Sequence, residues 1–119
     1  MNEDTPRTAN YYPVGDYYGY PTEDTLHQIQ SATDPKEALE LAYEAWAAYG
    51  SVTDRLSSTE LKLVMADSDN DTFLRFATGG WSGNESIIGS LRDNAMVWAL
   101  TWRLSAVGGM HIFRIPSYA

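Results

Sequence analysis

Between residues 34 and 50 apolar side chains return every three or four positions. Leu39, Ala42, Tyr43, Trp46 and Tyr49 fall on one stripe, with Glu37, Glu40 and Glu44 opposite, the period of a helix that buries one side. Asp34 before Pro35 marks its start, Glu37 completes a capping box, and Gly50 marks its end, so the spacing predicts a helix over 35–49. A shorter helix precedes it. Thr22 is its cap, Glu23 and Asp24 fill its first turn, Leu26 and Ile29 share a face, and it ends near Thr33. The period then changes. "ELKLVMA" alternates with Leu61, Leu63 and Met65 on one side, and "TFLRFAT" alternates with Leu74 and Phe76 opposed to Phe73 and Ala77. Joined by the polar "DSDND", they read as a hairpin of strands at 60–66 and 72–78, and "SVTDRLSST" before them as a connector. Further on, Ile87, Ile88, Leu91, Ala95, Trp98, Ala99 and Trp102 trace a helical stripe. It predicts one helix over 85–106, stopped by Gly108 and Gly109. "HIFRI", 111–115, is a last strand closed by Pro116.

These elements make one α+β domain over residues 22–119, of ordinary domain size. A small three-stranded antiparallel sheet packs against two or three helices. Residues 1–21 form an irregular arm rich in Tyr and interrupted by Pro13, Gly15, Gly19 and Pro21. Tyr17 and Tyr18 on it are candidates for partner contact, because Tyr offers a large surface at low entropy cost.

Charge narrows the function classes. Sixteen Asp and Glu face eight Lys and Arg, a net charge of −8, which speaks against direct binding of nucleic acid through its phosphates. The acids serve solubility, or they imitate nucleic acid. The chain has no Cys, which removes disulfides, thiolate metal sites and a thiol nucleophile. "MNEDTPRTAN" lacks the apolar core of a secretory signal. The longest apolar run, "AMVWALTW", is far shorter than the ~20 residues that span a bilayer. The expectation is a cytoplasmic protein with no membrane partner.

Candidate chemistry concentrates in "FATGGWSGNESIIGSLRDN", residues 76–94. Gly79 and Gly80 free the backbone after a strand. Either Ser82 caps the next helix, with Glu85 closing a capping box, or Asn84 caps it, with Glu85 in the first turn. One cap does not need G-G-W-S-G-N-E, and Gly83 signals a close approach to the backbone. The surplus predicts a shallow pocket closed by Trp81, with Ser82, Asn84 and Glu85 in it and His111 as a further member. A continuous helix over 85–106 would be ~30 Å long and would separate His111 from that turn. No G-x-x-x-x-G-K-[ST] or G-x-G-x-x-G occurs, and Glu85 repels phosphate. No G-x-S-x-G exists either, so no catalytic residue and no cofactor is expected. Asp67, Asp69 and Asp71 have calcium-loop spacing, but Thr72 and Thr78 stand where Gly and Glu are needed, so no metal site is expected. Trp98 and Trp102 are expected in the core, and Arg92 and Arg103 in water.

The same stretch carries a resemblance. Phe76, Thr78, Gly79, Gly80, Trp81, Ser82, Gly83, Asn84 and Glu85, followed by Ile87, Ile88, Leu91 and Asn94, are similar to a core of F-x-T-G-G-W-S-G-N-E and I-I-x-x-L-x-x-N. That core belongs to a group of small phage and prophage proteins of unknown function. A late G-G-H is matched with Met110 intervening between Gly109 and His111, and the likeness covers residues 76–113. It implies a phage context, hence an infected bacterial cytoplasm, and no activity. The reading of the whole chain is a non-enzymatic phage accessory protein that binds a host or phage protein, for example to inhibit a host process. Two alternatives stand beside it: a binder of a small ligand (a nucleotide or sugar phosphate) through the GGWSGNE turn, and an acidic DNA mimic.

Overall fold

The computed structural model describes residues 20–46, 50–64 and 72–116. In chain order these form α1 (Glu23–Ser31), α2 (Pro35–Ala45), β1 (Ser51–Thr53), α3 (Ser58–Leu63), β2 (Thr72–Ala77), α4 (Ser82–Asp93), α5 (Ala95–Thr101), β3 (Trp102–Ala106) and β4 (Met110–Ile115). The domain is α+β, and its antiparallel sheet has four strands in the order β1-β2-β4-β3, one more than expected.

Local chemistry explains the first helices. Thr22 Oγ1 accepts the Thr25 N–H at 3.1 Å and opens α1. Asp34 opens α2 by accepting the Lys36 N–H at 3.1 Å, one residue earlier than a capping box with Glu37 requires. α2 stops at Ala45, where Trp46 turns to extended backbone, so Gly50 is not its terminator. Residues 47–49 lie outside the described residues, as do residues 1–19 of the arm, with Tyr17 and Tyr18, and the "DSDND" turn.

The strand expected at 60–66 is helix through Leu63, as part of α3, and Met65 and Ala66 lie outside the described residues. Ser57 and Glu60 form a reciprocal capping box: Ser57 Oγ accepts the Glu60 N–H at 3.1 Å, and Glu60 Oε1 accepts the Ser57 N–H at 2.9 Å. Two satisfied N–H groups at the start outweigh a weak alternation of period two. Leu63, which the alternation placed on a buried side, is 60 % exposed. Val52, read as connector, instead pairs with Phe76 in β1.

The helix expected over 85–106 breaks at Asn94. That residue ends α4 and caps α5, its Oδ1 accepting the Val97 N–H at 3.2 Å. Its Nδ2 donates to Ile29 O at 3.0 Å and Ala32 O at 2.9 Å, tying the end of α1 to the α4–α5 corner. The change of axis also changes which residues face inward. Val97 and Thr101 are buried while Ala95 and Ala99 are exposed. The chain becomes strand at Trp102, with a bulge between Trp102 and Leu104.

The main core lies between the helices and one face of the sheet. Ile29, Leu39, Trp46, Phe76, Ile87, Leu91, Val97 and Phe113 are each at most 1 % exposed, and each such side chain contributes ~1.5–3 kcal/mol on burial. Phe76 sits between Trp46 and Phe113 in edge-to-face contacts of 4.8 and 5.6 Å. The other face carries a smaller cluster of Val64, Phe73 and Ile112. There Arg75 reaches from β2 to Glu60 of α3, with Nη1 at 2.8 and 2.7 Å from its two oxygens. The Ser57 N–H and Arg75 hold the Glu60 carboxyl below its ordinary range.

Candidate functional site

Because the chain reverses after α5, β4 runs back beside β2, with Phe76 opposite His111 and Ala77 opposite Met110. The two glycine pairs, far apart on a straight helix, therefore meet. Thr78 N donates to Gly109 O at 3.0 Å. Gly109 has φ 82°, and a side chain there would collide with Thr78 Oγ1. Only glycine fits both constraints.

Thr78 organises the turn. Its Oγ1 accepts the Gly80 N–H at 3.2 Å, and its carbonyl accepts from Trp81 N at 3.3 Å and from Asn84 Nδ2 at 3.2 Å. Trp81 occupies the N-cap position of α4 without a side-chain cap bond. Neither Ser82 nor Asn84 is therefore the cap. Ser82 is the first helical residue and is exposed, whereas Asn84 is fully buried. Asn84 serves as an internal tie because its buried amide reaches back to the Thr78 carbonyl just past the end of β2. The close approach signalled by Gly83 comes from within: the Trp81 ring lies over it, where a Cβ would stand. Trp81 also meets Tyr20 edge to face at 5.4 Å. Most of the GGWSGNE surplus thus builds the joint between β2, α4 and the residues before α1.

What remains for a ligand is a cavity of about 220 Å³ lined by Thr78, Glu85, Ile88, Arg92, Gly109 and His111. Glu85 and His111 come together in it, whereas Trp81, Ser82 and Asn84 do not line it. Glu85 and Arg92 are seven residues apart on α4, two turns along one face. His111 is half-buried, and its Nδ1 lies 2.7 Å from Ser105 Oγ, which also accepts the Trp102 Nε1–H at 2.8 Å. The Ser105 hydroxyl thus bridges the Trp102 indole and the His111 ring, and the imidazole tautomer sets whether it donates to Nδ1 or accepts from it. Burial holds the His111 imidazole below its ordinary range, Arg92 pushes the same way, and Glu85 opposes both.

No protein-family model, curated protein or solved structure matches the chain.

Arg92, Thr78 and Ser105 were not marked by sequence reasoning. Arg92 is not simply in water, since its guanidinium lies 5.1 Å from the centre of the Trp98 ring, a cation–π contact. A signal for it existed in the i, i+7 spacing from Glu85. Nothing marked Ser105, because its strand was read as helix. Trp98 and Trp102 also differ from expectation. They stack on each other at 5.7 Å and 13°, but Trp98 is only half-buried and Trp102 is 37 % exposed. Trp102 sits on an edge strand, not on the helix stripe. A second, wider groove of about 700 Å³ lies between α2 and the β1–β2–β4 sheet, lined among others by Leu39, Tyr43, Val52, Leu74 and Ile115. It holds none of the predicted site residues. Among the described residues no three His, Asp or Glu are placed to hold a metal ion, and no helix is long and apolar enough to cross a membrane.

Proposed function

We propose that the chain is a non-enzymatic binding protein of the phage accessory type, acting on a host or phage protein in the cytoplasm of an infected bacterium. The observation that carries the binding role is an uncharged apolar surface on an otherwise acidic molecule. α5, "AMVWALT", has no charged residue and exposes Met96 at 38 % and Leu100 at 50 %, and Trp102, which follows it at the start of β3, is 37 % exposed. The helix adjoins β3, which has one neighbour, β4, among the described strands. Asp and Glu are absent after Asp93, so a docking protein meets no desolvated carboxylate on this stretch of chain. Exposed aromatic and long aliphatic side chains beside an open strand edge are the groups that supply binding energy at protein interfaces. The phage setting and host target rest on the F-x-T-G-G-W-S-G-N-E resemblance.

The test is affinity capture from bacterial lysate with wild type, Leu100→Asp and Leu61→Asp as baits. A stoichiometric protein retained by wild type and Leu61→Asp but lost with Leu100→Asp supports the proposal. Capture indifferent to Leu100→Asp, or no stoichiometric protein, refutes it. A second reading, a small-ligand binder, is favoured by one specific observation: the cavity bordered by Glu85, Arg92 and His111. Its volume is below the ~300–1,000 Å³ of pockets for drug-sized ligands, which weighs against the nucleotide form of that reading.

A further inference from the structure

Two polar arms of the small cavity rest on one aromatic support. The Trp98 face carries the Arg92 guanidinium at 5.1 Å. The Trp102 indole N–H holds Ser105 Oγ at 2.8 Å, and Ser105 holds His111 Nδ1 at 2.7 Å. Trp98 and Trp102 are themselves stacked, 5.7 Å apart and 13° from parallel. Trp98 is anchored below by Phe113, edge to face at 5.5 Å, and Phe113 is fully buried in the core. A chain of contacts thus runs from the core to both side chains, the kind of support that keeps binding groups in place before a ligand arrives.

The third charged group has the opposite sign. Glu85 stands two turns before Arg92 on α4, about 10 Å along the axis at 1.5 Å per residue. No ion pair joins it to Arg92 or His111 among the described residues. The cavity therefore presents a carboxylate and a guanidinium that do not neutralise each other. A simple anion gains Arg92 but meets Glu85, and a simple cation gains Glu85 but meets Arg92. A molecule with both charges satisfies both walls. Size limits it further. About 220 Å³ holds on the order of seven waters at ~30 Å³ each. Thr78 and His111 add polar residues to the lining, and Ile88 adds an apolar one.

We propose that this cavity is a binding site for a small zwitterion of the α-amino-acid class. Arg92 takes the carboxylate, Glu85 takes the ammonium group, and Ile88 faces the side chain. The proposal rests on the second reading above, that the cavity holds a ligand. It names the ligand's chemistry. Glu85 and Arg92 are exposed, so water screens both contacts, and affinity in the millimolar range is expected.

The experiment is a two-dimensional ¹H–¹⁵N NMR titration of the full chain with L-serine. N-acetylserine, serine methyl ester, acetate and inorganic phosphate serve as comparison probes. Saturable shifts of the Gly109 and His111 amides and of the Trp102 indole N–H are expected with serine. The ester and the N-acetyl compound should bind at least about tenfold more weakly. Arg92→Gln should weaken serine by a similar factor. Glu85→Gln should remove the preference for serine over N-acetylserine. Melting curves of both variants should match wild type, since neither side chain is buried. Acetate or phosphate binding as tightly as serine overturns the zwitterion assignment and leaves the ligand reading standing. No saturable shift with any probe up to tens of millimolar, on the order of the weakest specific affinities, overturns both.

Discussion

Replacing Asn94 by Ala separates two pictures of the chain by the sign of one free energy. In a continuous helix over 85–106, Asn94 would be an interior helical residue, and Ala there would add up to ~0.7 kcal/mol of stability through its better propensity. In the structure Asn94 is 7 % exposed and makes three hydrogen bonds. Losing the cap on Val97 N costs about 1 kcal/mol. The carbonyls of Ile29 and Ala32 lose their shared donor, at ~1–3 kcal/mol for each one that water does not reach. The bond to Ile29 O is buried and the bond to Ala32 O is part-buried, but Ile29 O keeps the Ala32 N–H at 3.4 Å, so each counts only in part. The expected loss is about 2 kcal/mol, roughly 5–10 °C in melting temperature for a domain near this size. Asn94→Asp sharpens the test. It keeps an oxygen for Val97 N but turns a charged oxygen toward two carbonyls. Its folded pKa should therefore be raised above the unfolded value of ~3.9. Relative stability is then retained below the unfolded pKa and lost as pH rises through the folded one. Urea unfolding at pH 4 and pH 7 checks both variants. The reasoning fails if Asn94→Ala is neutral or stabilising, or if Asn94→Asp at pH 7 is as stable as wild type.

Three further outcomes are expected. Gly83→Ala gains ~1 kcal/mol as a helix substitution in isolation but collides with the Trp81 ring; net destabilisation and a red-shifted Trp emission are expected, and a stabilised variant with unchanged emission would contradict the packing. Glu60 is held low by the Ser57 N–H and Arg75, so its stabilisation is present above the unfolded carboxylate pKa and disappears as pH falls through the lower folded one; Glu60→Gln should flatten the acid limb of a melting-temperature profile, and an unchanged limb would show the ion pair to be idle. His111 is held low by burial and then by Arg92, against Glu85, so its contribution is full above the unfolded His pKa and declines as pH falls through the folded one; in an NMR titration of the ring, Arg92→Gln should raise its pKa and Glu85→Gln should lower it, and shifts in the reverse directions would place these charges elsewhere.

The cavity was only half legible in the residues. Glu85 announced itself beside a glycine-rich turn, and His111 by following a second glycine pair. Arg92 reads as an ordinary exposed helix residue, and Ser105 as one more small side chain in an apolar run. Both acquire a role through Trp98 and Trp102, whose stacking depends on a corner that periodicity does not reveal. The excess of glycine and polar residues in GGWSGNE was visible as an excess, yet Asn84 is a buried tie and Gly83 a seat for the Trp81 ring.

Local rules decided α1, α2, β2 and β4. Thr22, and Asp34 with Pro35, are start signals that act within three residues. The alternation in "TFLRFAT" and "HIFRI" reflects two faces that are both covered, one by each apolar cluster. Where two local signals competed, the sequence contained the answer but not its weight: Leu61, Leu63 and Met65 alternate like a strand, and the Ser57–Glu60 box makes a helix. Tertiary structure alone decided the break at Asn94. An Asn inside an apolar helical stripe costs little by propensity, and only the carbonyls of Ala32 and Ile29 at the end of α1, 62 and 65 residues earlier, give its amide a reason to stop one helix and begin another. That distant pairing turns the chain back through β3 and β4, sets Phe76 opposite His111, and puts Glu85, Arg92 and His111 around one cavity.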